Sequence, residues 1–188
     1  MVLNRLADGG VRLTLRDYLA LPDDADYEVF DGVLDVAPRP IAKHQIIAVQ
    51  LLWELVQQVP GARPNQCFVL DADLLADPLR TYVSPDLMYF RPERWATIDP
   101  EQRITLPPDL VVEVLSPSTR HRDLTLKRQF YARLGIGHYW VLDRSRKRAR
   151  ELTLQPDGSY AERVVAAPGP FQPAIFPGVS IDLGRLFA

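Results

Sequence analysis

A chain of 188 residues that is 47% apolar and 24% charged has the length and composition of one compact soluble domain with a sizeable core, which excludes wholesale disorder. No apolar run approaches the roughly 20 residues needed to span a bilayer, Met1 to Asp8 lacks the apolar run of a signal peptide, and the lone Cys67 excludes an internal disulfide or a cysteine-based zinc site, so the expectation is a cytoplasmic protein with no membrane partner. The net charge of −2 excludes a uniformly cationic coat, yet Ser118 to Arg150 holds ten Lys/Arg against two acids and leaves −10 to the remainder, which either draws a polyanion to one side or is a solvated basic face.

In chain order, Leu13 to Leu21 reads as a short helix capped by Thr14 and ended by Pro22. Tyr27 to Val36 reads as a hairpin around Asp31-Gly32. Pro38 and Pro40 then break the chain. Ala42 to Val59 is the clearest helix, with Ala48, Leu51, Leu52, Leu55, Val56 and Val59 on one apolar face. Gln66 to Leu75 is predicted as one strand holding Cys67 as a small buried residue, and Tyr82 to Phe90 as another, interrupted by Pro85. Glu93 to Pro108 is a long surface loop, or a short helix plus loop. Asp109 to Ser116 is a nearly continuous apolar run, the pattern of a strand covered on both faces. A helix follows over Asp123 to Leu134, stopped by Gly135. Strands are predicted over Tyr139 to Asp143, Arg148 to Leu154 and Tyr160 to Val165. The tail, with Pro168, Pro170, Pro173 and Pro177, is expected to lie extended over the surface. The whole, 1–188, reads as one α/β (α+β) domain with a core over about 13–165 and a mixed sheet flanked by helices.

Three residues break this pattern. Glu113 sits between Val111, Val112, Val114 and Leu115, where a carboxylate loses hydration at a cost of several kcal/mol unless a partner or cation compensates. It is an ion-paired core acid, an acid on an open face, or a metal ligand. Asp86 follows Pro85 on a different strand, and either binds backbone amides or joins Glu113. Lys127 falls within the inward stripe of Leu124, Leu126, Phe130, Tyr131 and Leu134, with Asp123 one turn earlier. A surface pair with Asp123 is the ordinary reading; a charge meeting buried acids is the functional one. Two converging carboxylates can hold a hard divalent cation such as Mg²⁺, and an ammonium nearby can orient or deprotonate a bound water and offset phosphate charge. Rival catalytic sets are missing. There is no Gly-rich phosphate loop and no Gly-x-Ser-x-Gly, and His44, His121 and His138 lack metal-ligand spacing, which excludes zinc.

From Leu15 to Leu154 the chain resembles the putative restriction endonuclease domain family of the PD-(D/E)XK nuclease superfamily. The resemblance is carried by Tyr27-Glu28-Val29-Phe30-Asp31-Gly32, Ser84-Pro85-Asp86, Val112-Glu113-Val114-Leu115-Ser116-Pro117-Ser118-Thr119, Asp123-Leu124 with Lys127, and Tyr131 through Gly135-Ile136 to Tyr139-Trp140-Val141-Leu142-Asp143. It implies a restriction endonuclease-like core and an endonuclease that hydrolyses DNA with Mg²⁺ or Mn²⁺. Asp86 and Glu113 would be the metal-binding acids, with the Val114 carbonyl completing the ion's shell and Glu28 able to join it. His44 would stand behind the acids, or be simply a helix-start residue. One position departs from the superfamily: Leu115 stands where its lysine usually does, and Lys127, from the next helix, is the substitute. That departure keeps a second reading open, a catalytically weak or silent nuclease-fold binding module. A homodimer is expected by analogy, since cutting both strands needs two sites.

Overall fold

The computed structural model describes residues 12–22, 26–37, 42–60 and 67–188. Thr14 caps helix α1 (Leu15–Tyr18): its hydroxyl accepts the Asp17 N–H, and the Asp17 carboxylate takes the Thr14 N–H in return. Strands β1 (Asp26–Phe30) and β2 (Val33–Ala37) form the expected hairpin. Asp31 and Gly32 turn it at φ of 50° and 81°, the left-handed pair that a two-residue hairpin loop demands. Pro38 and Pro40 lie outside the described residues.

Helix α2 (Ala42–Gln58) buries His44, Ile47, Ala48, Leu51 and Leu55 along one stripe. Two predicted strands then prove to be four. Gln66 to Leu75 divides into β3 (Phe68–Leu70) and β4 (Leu74–Ala76), because Asp71, at φ 49°, turns the chain between them. Tyr82 to Phe90 divides at Pro85 into β5 (Thr81–Val83) and β6 (Leu87–Tyr89). The halves enter different sheets. A four-stranded antiparallel sheet runs β2-β1-β5-β4.

The central sheet has six strands in the order β10-β9-β8-β7-β6-β3, using β7 (Leu110–Val114), β8 (His138–Asp143), β9 (Arg148–Leu154) and β10 (Tyr160–Ala166). It is mixed, as expected: β7 and β8 are parallel and the other pairs antiparallel. Every residue of β7 is buried, because alternate side chains serve two cores. Leu110, Val112 and Val114 pack with α2, while Val111 shares the other face with Phe130, Tyr131, Tyr139 and Val141. A short helix α3 (Pro92–Trp95) and loop lead into β7.

Two expectations need correction. The helix predicted from Asp123 begins three residues earlier and is not uniform. It comprises α4 (Arg120–Arg122), a π-helical turn (Asp123–Lys127) and α5 (Arg128–Arg133), with Gly135 at φ 72° beyond its end. The wider turn changes the facing, so Leu126 is exposed and does not belong to the inward stripe. The tail, expected over the surface, is core. Strands β11 (Pro170–Phe171) and β12 (Ile181–Asp182) and helix α6 (Leu183–Leu186) bring Phe171, Phe176, Val179, Ile181, Leu183, Leu186 and Phe187 into the cluster formed by α2 and Trp140. Its prolines punctuate short elements whose alternate residues are apolar. Among the described residues no helix is long and apolar enough to cross a membrane.

Candidate active site

Strand β6 pairs with β7 only as far as Val112. Beyond it, the Val114 peptide has no ladder partner on that edge, and a buried backbone group must find one. Side chains supply both bonds. Asp86, just before β6, accepts the Val114 N–H on Oδ2 at 2.6 Å. His44, from the first turn of α2, places Nε2 2.5 Å from the Val114 carbonyl and 3.4 Å from Asp86 Oδ2. A nitrogen facing two acceptors must carry the proton, so Nε2 donates. The carbonyl keeps a second lone pair.

Glu113 projects to the opposite face, toward the helical run. Its Oε1 accepts Lys127 Nζ at 2.8 Å and the Tyr131 hydroxyl at 2.7 Å. Lys127 also meets Glu28 Oε1, from β1, at 2.9 Å and Asp123 Oδ1 at 3.6 Å. Asp123 and Lys127, four residues apart, both face inward from the π turn (such turns recur at functional sites). Arg122 closes the cluster, 2.9 Å from Glu28 Oε2 and 2.7 Å from Asp35 Oδ2. Glu28, Glu113, Arg122, Asp123 and Lys127 are all buried. All six positions singled out as the three central and three supporting side chains therefore lie in one connected region. Sequence reasoning missed Arg122 and Tyr131. Arg122 could have been sought as a counter-charge for Glu28; Tyr131 looked like any apolar-stripe aromatic.

The electrostatics follow from burial. Desolvation pushes Asp86 up to about 6, against the pull of His44, Lys127 and the Val114 N–H. Desolvation also raises Glu113 well above the usual carboxylate range; Lys127 opposes this, while Asp86, Asp123 and Glu28 add to it. For Lys127, burial would lower the pKa, but Glu113, Glu28 and Asp123 outweigh burial and hold it well above a free lysine. It stays an ammonium. That state favours the orienting, charge-offsetting role for Lys127 over a water-deprotonating one.

Five acids (Glu28, Asp35, Asp86, Glu113, Asp123) meet two cations (Arg122, Lys127), so acids outnumber cations in the cluster. Hydrogen bonds to Glu113 land on Oε1 and that to Asp86 on Oδ2. Among the described residues Oε2 and Oδ1 are left without a hydrogen-bond partner. The donor set that Asp86, Glu113 and the Val114 carbonyl offer is oxygen only. No group of three or more His, Cys, Asp or Glu among the described residues is gathered as a metal cage. A pair of carboxylates with oxygen donors alone suits Mg²⁺, which binds through one or two carboxylates and keeps other positions for water and phosphate.

A family model described as "Putative restriction endonuclease" matches residues 15–184. The match runs past Leu154 and takes in the tail, in accord with the tail's place in the core. Among solved structures, a crystal structure described as that of a putative nuclease belonging to DUF820 from Anabaena variabilis aligns with a TM-score of 0.72 at 20% identity, covering 93% of this chain and 97% of that one. That likeness establishes a shared fold. No curated protein matches the sequence.

Proposed function

The chain belongs to the Uma2 family of putative restriction endonucleases, and from that premise we propose that it is a Mg²⁺- or Mn²⁺-dependent endonuclease that hydrolyses DNA phosphodiester bonds in the cytoplasm. The observation that carries this reading is the pair of carboxylates, Asp86 part-buried and Glu113 buried, beside the Val114 backbone, each with an unused oxygen. Asp86, Glu113 and the Val114 carbonyl would hold the ion, which when bound lowers the pKa of a coordinated water and offsets charge on a phosphate oxygen.

The protein's own groups do the rest. Lys127, its ammonium favoured by three neighbouring acids, draws Glu113 toward its ionised form, and Tyr131 fixes which oxygen it turns inward. The Val114 N–H orients Asp86, and His44 holds the carbonyl of the same residue. At neutral pH Asp86, with its pKa near 6, is mostly ionised and ready to bind a cation. Because one centre cuts one strand, a double-strand break calls for a homodimer. Supercoiled plasmid should be nicked when Mg²⁺ or Mn²⁺ is added, and Asp86→Ala or Glu113→Ala should abolish nicking. Cleavage by both variants at the wild-type rate would overturn the assignment.

One observation favours a second reading, a binding module on the nuclease fold. Leu115 occupies the position where the superfamily usually carries its lysine, and Lys127 is committed to three carboxylates. Such a module would bind DNA yet leave plasmid intact with every divalent metal tried.

A further inference from the structure

The ten basic residues between Ser118 and Arg150 do not share one fate. Arg122 and Lys127 are consumed by the buried acids. Arg128 and Arg150 both pair with Glu162, and Arg133 with Asp31. The other five gather at the end of β8 and the head of the neighbouring helix, around Asp143, which is fully buried. Its carboxylate takes Arg120 Nη1 at 2.9 Å, Arg146 Nη1 at 3.5 Å and Arg148 Nε at 3.5 Å. Ser145 Oγ and the Arg146 N–H complete its shell at 2.7 and 3.1 Å. Arg144 and Lys147 have no carboxylate within 4.0 Å among the described residues. Three cations thus stand on one acid, and two more flank it in the chain.

A merely solvated basic face needs no buried carboxylate beneath it. Here Asp143 works as a fixed internal anion: burial would raise its pKa, but the bonds from Ser145 and Arg120 and the charges of Arg120 and Arg148 hold it below the usual range. It orients three guanidinium forks and neutralises only one of them. Each fork keeps most of its five N–H donors for another acceptor.

The place is as telling as the charge. Strands β7 and β8 are parallel, with Glu113 opposite Val141 and Val114 opposite Leu142. Asp143 is therefore one residue further toward the end of the sheet where Asp86 meets Val114, and one strand over, about 5 Å away. By alternation it shares the face of Val141 and Glu113. Between the two lies the loop after β7, with Ser116 Oγ 2.9 Å from Ser118 Oγ and 3.0 Å from Thr119 Oγ1. Hydroxyls and then arginines lead away from the carboxylate pair.

We propose that the cluster of Arg120, Arg144, Arg146, Lys147 and Arg148 on Asp143 is a backbone subsite that grips the phosphodiester chain of a polynucleotide beside the phosphate to be cut. It rests on the nuclease reading above and adds to it the surface that sets the strand's path. Its contacts read charge and spacing, not bases.

The test compares two double variants of equal charge change, Arg146→Gln with Lys147→Gln, and Arg91→Gln with Arg185→Gln. Arg91 lies at the opposite end of the central sheet and Arg185 in α6, and all four side chains are exposed. Anisotropy of a labelled 20-base-pair duplex is followed over a salt series in EDTA, with plasmid nicking measured in parallel. The first pair should weaken binding at least tenfold near 0.1 M salt and lower the slope of log K against log salt by about 2, or 0.9 per lost phosphate contact. The second pair should stay within twofold of wild type. If the first pair binds as tightly as the second while wild type still cuts, the subsite falls and the nuclease reading stands. If wild type binds and does not cut but the first pair is weakened as stated, the subsite stands and the catalytic reading falls. If wild type neither binds nor cuts, both fall.

Discussion

Replacing Lys127 by methionine keeps most of the side chain's volume and removes its charge from among Glu28, Glu113 and Asp123, all buried. Breaking a buried ion pair from one side costs about 3–5 kcal/mol, because the remaining charge is stranded without water. Among the described residues Arg122 is the only other Lys or Arg in contact with the cluster, and it is already shared between Glu28 and Asp35. The full cost is expected at pH 8, a large part of the 5–15 kcal/mol that holds a domain folded. At pH 5.5 the loss should shrink, since Glu113, already raised by burial, is then free to take a proton and stop being a charge. Urea unfolding followed by tryptophan fluorescence at both pH values measures this. The double variant Lys127→Met with Glu113→Gln should recover roughly 2–3 kcal/mol of the loss at pH 8, the coupling expected of direct neighbours. A single variant within about 1 kcal/mol of wild type at pH 8, or strictly additive effects in the double variant, would refute the buried cluster.

Asp86 gives a pH test. Its pKa is raised by burial from 3.8 to about 6, so between those values the folded protein holds a proton that the unfolded chain has released. Stability from this group is greatest below the lower value and declines as pH climbs to the upper one, by about 3 kcal/mol in all. The wild-type minus Asp86→Asn difference in urea stability should show that slope, and a flat difference from pH 4 to 7 would count against it. Tyr131→Phe removes a hydrogen bond to an ionised acceptor and should cost about 1.5–3 kcal/mol in the same assay, whereas unchanged stability would mean that the bond to Glu113 is not made. Truncation after Ala166 removes seven buried apolar side chains, worth about 10–20 kcal/mol at 1.5–3 each, as much as a domain's whole stability. The shortened chain should lose its near-ultraviolet circular dichroism, and a cooperative unfolding transition in it would show that the tail is dispensable.

What the sequence disclosed depended on how local the cause was. The hairpin at Asp31-Gly32, the long helix from Ala42 and the doubly covered strand around Glu113 were legible, since turn chemistry and periodicity act over a few residues. The split of Gln66 to Leu75 was not, because a non-glycine residue with positive φ at Asp71 leaves no compositional mark. The tail misled for the opposite reason: prolines are visible, whereas the apolar cluster with α2 that Phe171 and Phe187 join is not. At the site, Asp86, Glu113 and Lys127 stood out as charges in apolar company. Tyr131 did not, for an aromatic on an inward stripe looks the same whether or not its hydroxyl reaches a carboxylate. The committed state of Lys127 was also hidden, since it depends on three acids brought from β1, β7 and the π turn.

Calorimetric titration with Mn²⁺, on wild type and on Asp86→Asn and Glu113→Gln, tests the two-carboxylate centre most directly. One ion should bind per wild-type chain, and either neutral variant should lose that binding while remaining folded. A wild-type protein that takes up no ion, or variants that bind it as tightly as wild type, would contradict the account.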